Sequence, residues 1–301
     1  MKKIVKLLLV SLLVLGLAGC KDATANISDK NTVMMTIGKN KITKGDLYKK
    51  MMTDDAANTV INMALETIAN KEIETTEAIK KAGQDKFDGY KKDLTEDGDD
   101  FLESLKAMGF NSEEEFLTYC ITLAKEEALS DKYIEDNFDS LFDKYKPVLA
   151  RIMFFDGTAT DSSVDQAKAN AESALAEVKG GATFTDVAKK YKSKDSLAAE
   201  TLYTNDDDKL DSNVILYMFS TTTPGLSNVI TSKDAKGFYI VQVTNMNKEQ
   251  IRSFFITHLK QADGFADTVH GHFFEKYNFR VYDIDVYNTI KKNYSSYLVQ
   301  K

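Results

Sequence analysis

Several scarcities bound this chain before any motif is read. It has two cysteines, Cys20 and Cys120. Beyond Cys20 a single thiol remains, so the body of the chain holds no intrachain disulfide. It has three histidines, His258, His270 and His272, and none before them. Imidazole chemistry is therefore excluded from everything ahead of His258. Basic charge is in deficit, with 39 Lys and Arg against 46 Asp and Glu and a net charge of -7. An acidic chain without a basic patch argues against nucleic acid as a partner. Only one long apolar run exists, Leu7–Leu17, and it is shorter than the roughly 20 residues of a spanning helix. No Gly-rich phosphate loop follows a strand pattern. Neither a Ser-His-Asp nor a Cys-His arrangement is legible.

What is present begins at the N-terminus. Lys2, Lys3 and Lys6 precede the apolar run, and small residues follow it, which is the pattern of a secretion signal. The signal ends at Leu17-Ala18-Gly19-Cys20, which resembles the lipobox of bacterial lipoproteins. That resemblance implies removal of residues 1–19 and a diacylglyceryl group on the thiol of Cys20. Two acyl chains matter, because one gives only marginal, reversible membrane binding. Losing the three signal lysines takes the net charge from -7 to -10. Residues 20–32 are polar and patternless, and read as a tether between lipid and folded body. The roughly 280 residues after the signal suffice for one large or two modest domains.

Along the body, Val33–Lys39 alternates weakly as a short strand. Thr43 to Ala82 reads as helical, with Val60, Ile61, Ala64, Leu65, Ile68 and Ile73 at helical spacings. Met34, Met35, Met51, Met52 and Met63 read first as gap-filling core and second as an adaptable binding surface. Phe87–Phe110 is helix, loop, helix. Ser112 and Glu115 fit a capping box opening a helix to about Tyr133, with a further helical stretch to Tyr145. On that helix Cys120 reads as a small buried hydrophobe. Pro147 marks a change of character: strand at Val148–Phe155, helix at Val164–Lys179 stopped by Gly180-Gly181, and a short helix at Thr183–Lys190. Asn213–Phe219 is a helical turn, Pro224-Gly225 a turn, and Gly237–Val243 a strand. Ile251–Lys276 reads as helix, Phe279–Val286 alternates, and Val286–Leu298 reads as a last helix. The fold class is α+β: a helical domain built from both ends of the chain (33–146 and 248–301) around an inserted α+β domain (147–247).

These segments resemble the PrsA foldases, extracytoplasmic lipoproteins that carry a parvulin-type peptidyl-prolyl isomerase domain within a SurA-like helical chaperone domain. Val148-Leu149-Ala150-Arg151-Ile152-Met153 is similar to the family's V-K-A-S-H-I strand. Gly180-Gly181-Ala182-Thr183-Phe184, running on to Ala188-Lys189-Lys190-Tyr191, is similar to its G-A-D-F-x-x-L-A-K-K-Y segment. Pro224-Gly225-Leu226-Ser227 stands for V-G-E-V-S, and Gly237–Val243 for G-Y-H-I-I-K-V. Outside that domain, Phe101–Asp131 resembles the helical chaperone region, and Glu275-Lys276-Tyr277-Asn278 with Arg280 resembles E-K-Y-N-V-K.

The resemblance breaks at the chemistry. Active parvulins carry two histidines in a hydrogen-bonded centre with a cysteine or aspartate. Here the first histidine position falls on Ile152, the second on Tyr239, and the third group near Glu200. Prolyl isomerisation faces a barrier of about 18–20 kcal/mol set by amide resonance. Neither Ile152 nor Tyr239 supplies an imidazole toward lowering it. The sequence thus implies a retained fold with little or no isomerase activity. A weak polar centre of Tyr239 and Glu200 is the alternative.

Other candidates read blandly. Asp93-x-Thr95-x-Asp97-Gly98 opens like a calcium loop, but its twelfth position is Ser104, and Glu103 is one early. Asp206-Asp207-Asp208 is a solvated turn. His270 and His272 do not share a helix face. No metal and no cofactor are expected.

Three functions stay in view. The first is a foldase tethered through Cys20 to the extracytoplasmic face of a Gram-positive membrane, sheltering unfolded or newly secreted proteins. The second is an active isomerase with an atypical centre. The third is a surface lipoprotein binding a solute or partner, which the missing strand–helix rhythm of two α/β lobes disfavours. A homodimer is left open.

Overall fold

A computed structural model describes residues 27–96, 100–158, 163–193 and 195–300. The signal, the lipobox and Cys20 lie outside the described residues, as do the central residues of the calcium-like loop. The chain divides into two units, one reaching to Lys132 and resuming at Gly264–Lys301, the other Tyr133–Asp263. These boundaries differ from the 146/147 and 247/248 expected from the sequence.

The first unit opens with a hairpin of β1 (Val33–Ile37) and β2 (Asn40–Thr43). The strand expected at Val33–Lys39 thus gains a partner, whose single apolar residue, Ile42, gives no alternation to read. Residues 29–32, assigned to the tether, form a turn that Lys44 and Gly45 bond through their backbone N–H groups at 2.9 and 2.8 Å. The single helix expected to Ala82 is three, α1 (Lys44–Asp54), α2 (Ala56–Glu72) and α3 (Glu77–Thr95). Each of the two later starts has a physical signal: the chain turns at Asp55, and the hydroxyl of Thr76 caps α3 by accepting from Ile79 N–H at 3.3 Å. Ile61, Leu65 and Ile68 of α2 are buried as the spacing required. The methionines are not core. Met34, Met35, Met51 and Met63 are 55, 54, 61 and 62 % exposed. A two-stranded ribbon has one face more than it can bury, which is why core filling fails for the first two.

After α4 (Phe101–Ala107), α5 runs without a break from Glu113 to Tyr145. Ser112 caps it by accepting from Glu115 N–H at 3.1 Å. The return bond goes one residue further back than a capping box predicts, from Asn111 N–H to the Glu115 carboxylate at 2.8 Å. Phe116 sits at the centre of an aromatic cluster with Phe87, Phe101 and Phe110, beside the fully buried Cys120. Burial pushes the Cys120 thiol up, away from reactivity. Near the C-terminus, α11 (Phe265–Lys276) begins at Gly264, whose φ of +73° ends any continuous helix from Ile251. Residues 279–282, where the sequence alternates, have no regular secondary structure. There Gln300 bonds the backbone of Val281, accepting from its N–H at 3.0 Å and donating to its carbonyl at 2.5 Å. The last helix, α12, is Ile284–Asn293.

The second unit is built on a small antiparallel sheet. Its strands are β3 (Val148–Asp156), β4 (Thr201–Tyr203), β5 (Gly225–Leu226), β6 (Ile230–Thr231) and β7 (Gly237–Asn245). β3 and β7 form the centre, β4 flanks β3, and β5 and β6 both pair with β7. Gly225 therefore begins a strand, and the bend expected at Pro224 lies at residues 222–223. Alternation gives each central strand two buried faces. One carries Met153, Phe155, Phe238 and Ile240 under α6 (Val164–Lys179) and α7 (Phe184–Lys190). The other carries Val148, Ala150, Ile152, Val241 and Val243 under α9 (Ser212–Ser220), whose Val214 and Met218 are fully buried. The order is β3, α6, α7, a short helix α8 (Asp195–Ala198), β4, α9, β5, β6, β7. Helix α10 (Lys248–Gln261) also belongs to this unit, with Phe255 packed edge-on against Phe138 and Phe142. Three buried or partly buried aromatics at helical spacing draw α10 to the 138–145 segment, an attraction no local pattern in α10 announces.

Candidate functional site

The sheet face under α9 is where the sequence places its candidate centre. Ile152 stands opposite Val241 in the β3–β7 register, and it is fully buried. Its neighbours are Val148, Ala150, Tyr203, Val214 and Met218. Nothing polar is presented from this position, and burial of the aliphatic chain is worth about 1.5–3 kcal/mol to the fold. The position is structural.

Tyr239 lies two residues along β7, opposite Phe154. The two rings stack with centroids 4.6 Å apart and planes 27° from parallel. Gly237 makes this arrangement possible. A Cβ there would lie 2.5 Å from a ring carbon of Phe154, so the ring occupies the space a side chain would fill. Tyr239 is half-buried. Burial first, then the charges of Asp211, Asp234 and Asp156, hold its phenol above the ordinary tyrosine range. It is neutral through the physiological range and has little acidity to offer.

Glu200 is not brought to Tyr239. It ends the segment leading into β4, and its carboxylate pairs with the Arg151 guanidinium at 3.5 Å. Arg151 alternates with Ile152 along β3 and so points to the opposite sheet face. Arg151 Nε and Gln242 Oε1 are buried on directly paired residues, and neither has a partner. The polar centre imagined for Tyr239 and Glu200 therefore divides across the sheet.

What the sequence reading missed is the ring of groups around the Phe154–Tyr239 stack. Asp156 closes β3, Asp211 caps α9, and Asp234 sits in the turn before β7. Only Asp211 had a local signal, as an N-cap ahead of an apolar helix. The turn at Asp206–Asp208 is a hydrogen-bonded loop, with Asp206 accepting from the Thr204 hydroxyl at 2.7 Å. Ser104 lies within α4, its hydroxyl donating to the Asp100 carbonyl at 3.1 Å. Among the described residues no group of three or more His, Cys, Asp and Glu stands together as a metal site. His270 is tied into a chain of bonds, its Nδ1 3.2 Å from the Tyr297 hydroxyl, which in turn donates to Asp267 at 2.5 Å.

Residues 150–255 match the family model of the PPIC-type PPIASE domain, so the second unit carries a parvulin-type domain. No curated protein matches the chain. Among solved structures, the chain is similar to the peptidylprolyl isomerase PrsA of Bacillus cereus, with 19 % identity, TM-score 0.48, and coverage of 88 % of this chain and 99 % of that one. It is similar to the foldase protein PrsA of Streptococcus pneumoniae at 20 % identity and TM-score 0.40, covering 88 % and 100 %. For PrsA of Bacillus subtilis the values are 18 % and 0.36, covering 88 % and 99 %.

Proposed function

We propose that this protein is a membrane-anchored foldase of the PrsA kind, acting outside the cytoplasm on unfolded or newly secreted proteins, with its parvulin-type domain catalytically silent or nearly so. One observation carries the reading: Ile152 is sealed in the core and Tyr239 is stacked on Phe154, so the two positions where active parvulins place imidazoles present an aliphatic chain and a neutral phenol. A catalyst of this reaction must seat proline in an apolar pocket and set polar groups around the twisting amide. Here neither position supplies an imidazole, and Glu200 pairs with Arg151 on the other sheet face.

The positive half of the proposal is surface. The first unit exposes Met34, Met35, Ile37, Leu47, Met51 and Met63 along the hairpin and its first two helices. Flexible, polarizable methionines suit a surface that must accept many sequences. Anchoring is proposed from the lipobox at Cys20. Among the described residues no helix is long and apolar enough to cross a membrane. The helical chaperone body built from both chain ends, and a homodimer of it, belong to the same proposal.

Two assays on the mature chain test it. A protease-coupled or NMR exchange assay on an X-Pro peptide should show no acceleration above buffer. Aggregation of a reduced, unfolding client should be suppressed, and replacing Met34, Met35 and Met51 together by serine should weaken suppression while leaving the melting temperature nearly unchanged. Turnover comparable to an active parvulin would overturn the silent-domain half. Clients aggregating at an unchanged rate would overturn the holding half.

A further inference from the structure

The open end of the β3–β7 pair holds a cleft of about 570 Å³. Its floor is the Phe154–Tyr239 stack, and its walls carry Asp156, Asp211 and Asp234, with Lys233 and Lys236 also on the lining. The carboxylates are held in place. Asp156 accepts from the N–H and hydroxyl of Thr158 at 2.8 and 2.7 Å. Asp211 accepts from Asn213 N–H at 2.9 Å through one oxygen and from Lys233 N–H at 2.8 Å through the other. Asp234 accepts from the Ser232 hydroxyl at 2.6 Å and from Lys236 N–H at 3.0 Å. Asp156 and Asp234 are exposed and Asp211 is partly buried, and these bonds fix how the carboxylates are oriented. Three carboxylates against two ammonium groups leave the lining with a formal charge of -1, and, after burial, the carboxylates of Asp211, Asp234 and Asp156 are the charges that help hold the Tyr239 phenol up.

We infer that this cleft takes a cationic side chain, lysine or arginine, from a polypeptide segment held at the parvulin-type domain. A cation seated there meets the face of an aromatic pair and carboxylates around it, and the two attractions reinforce each other. An anionic side chain meets repulsion from the same groups. The volume falls within the range of ordinary ligand pockets, enough for one long side chain and its flanking backbone. Arginine is favoured over lysine, because a planar guanidinium both stacks and forks. The inference rests on the client-holding reading for its biological meaning, but the cleft's selectivity is measurable without it.

The experiment uses the mature full chain and three labelled peptides, identical except for Arg, Gln or Glu at one central position, with affinity read by fluorescence anisotropy. The Arg peptide should bind about tenfold more tightly than the Gln peptide, and the Glu peptide more weakly than either. The Arg preference should shrink as salt rises. In the variant with Asp211→Asn and Asp234→Asn, the charge is removed while asparagine at 211 keeps the Asn213 cap bond, losing only the one from Lys233 N–H, and asparagine at 234 keeps both turn bonds through its single oxygen. The Arg-to-Gln ratio should then fall toward one while the Gln affinity holds. Equal binding of the Arg and Gln peptides, or a ratio untouched by the double variant, overturns the inference. So does failure of all three peptides to bind while client aggregation is still suppressed, a result that leaves the holding reading standing. Selective Arg binding without suppression supports the cleft and removes the holding reading instead.

Discussion

Phe154 and Tyr239 face each other across the central strand pair and stack at 4.6 Å, over a glycine that leaves no room for a side chain of its own. This contact lines the floor of the cleft in the parvulin-type domain. Gly237→Ala is therefore expected to displace the Phe154 ring and lower stability by about 1–3 kcal/mol, in the manner of an overpacked core. Chemical denaturation measures the loss, and aromatic NMR shifts of Tyr239 report the lost stack. An unchanged Tyr239 spectrum would show that the ring does not depend on Gly237.

Restoring imidazoles should not restore catalysis one at a time. Tyr239→His puts a histidine beside Phe154 but leaves Ile152 aliphatic, so prolyl turnover should stay at background in an exchange assay. Ile152→His buries an imidazole among Val148, Ala150, Val241 and Met218 with no partner. That should destabilise the domain by about 1–3 kcal/mol, against about 0.5–1.5 kcal/mol for Ile152→Val. A well-folded Ile152→His variant with native stability would show an undetected polar partner at this position.

In the first unit, Glu72 is the convergence point of α2 and α11. Its side chain is 7 % exposed, and it accepts from Lys276 at 2.5 Å and from the Tyr277 hydroxyl at 2.8 Å. Burial alone would raise its carboxyl pKa, but these two bonds together with the charges of Lys276 and Lys132 hold the group below the ordinary range. Glu72→Ala is expected to cost about 2–3 kcal/mol, the usual scale for hydrogen bonds to a charged group. Because the folded pKa is lowered, the contribution is present above the unfolded pKa and is lost as pH falls through the folded one. Denaturation of wild type and variant at pH 7 and pH 3 should show the difference shrinking at the lower pH.

His270 gives a second, distinct pH dependence. Burial lowers its pKa, with Asp267 acting in the opposite sense. A neutral His270 is what the fold accommodates, so its contribution is complete above the unfolded histidine value, about 6.5, and declines as pH falls toward the folded value. Melting temperature should therefore drop between pH 7 and pH 5, and His270→Gln should flatten that part of the profile. A profile unchanged by the substitution would assign the drop to other groups.

Much of the architecture is legible residue by residue. The Gly180-Gly181 stop, the Ser112 cap, the apolar stripe of Ile61, Leu65 and Ile68, and the long apolar runs of β3 and β7 follow from propensity, capping and periodicity, which act over a few residues. The absence of histidine ahead of His258 likewise decided, without coordinates, that Ile152 and Tyr239 could not form an imidazole pair. Other features depend on residues far apart in the chain. Whether Met34 and Met35 were buried turned on what a two-stranded ribbon finds to pack against. That Glu200 pairs with Arg151 while Tyr239 meets Phe154 turned on strand alternation and register, where one residue changes the face. And Asp156, Asp211 and Asp234, scattered over almost eighty positions, became one wall only when the strands and the cap of α9 converged, because charge acts through space and the sequence orders it only along the chain.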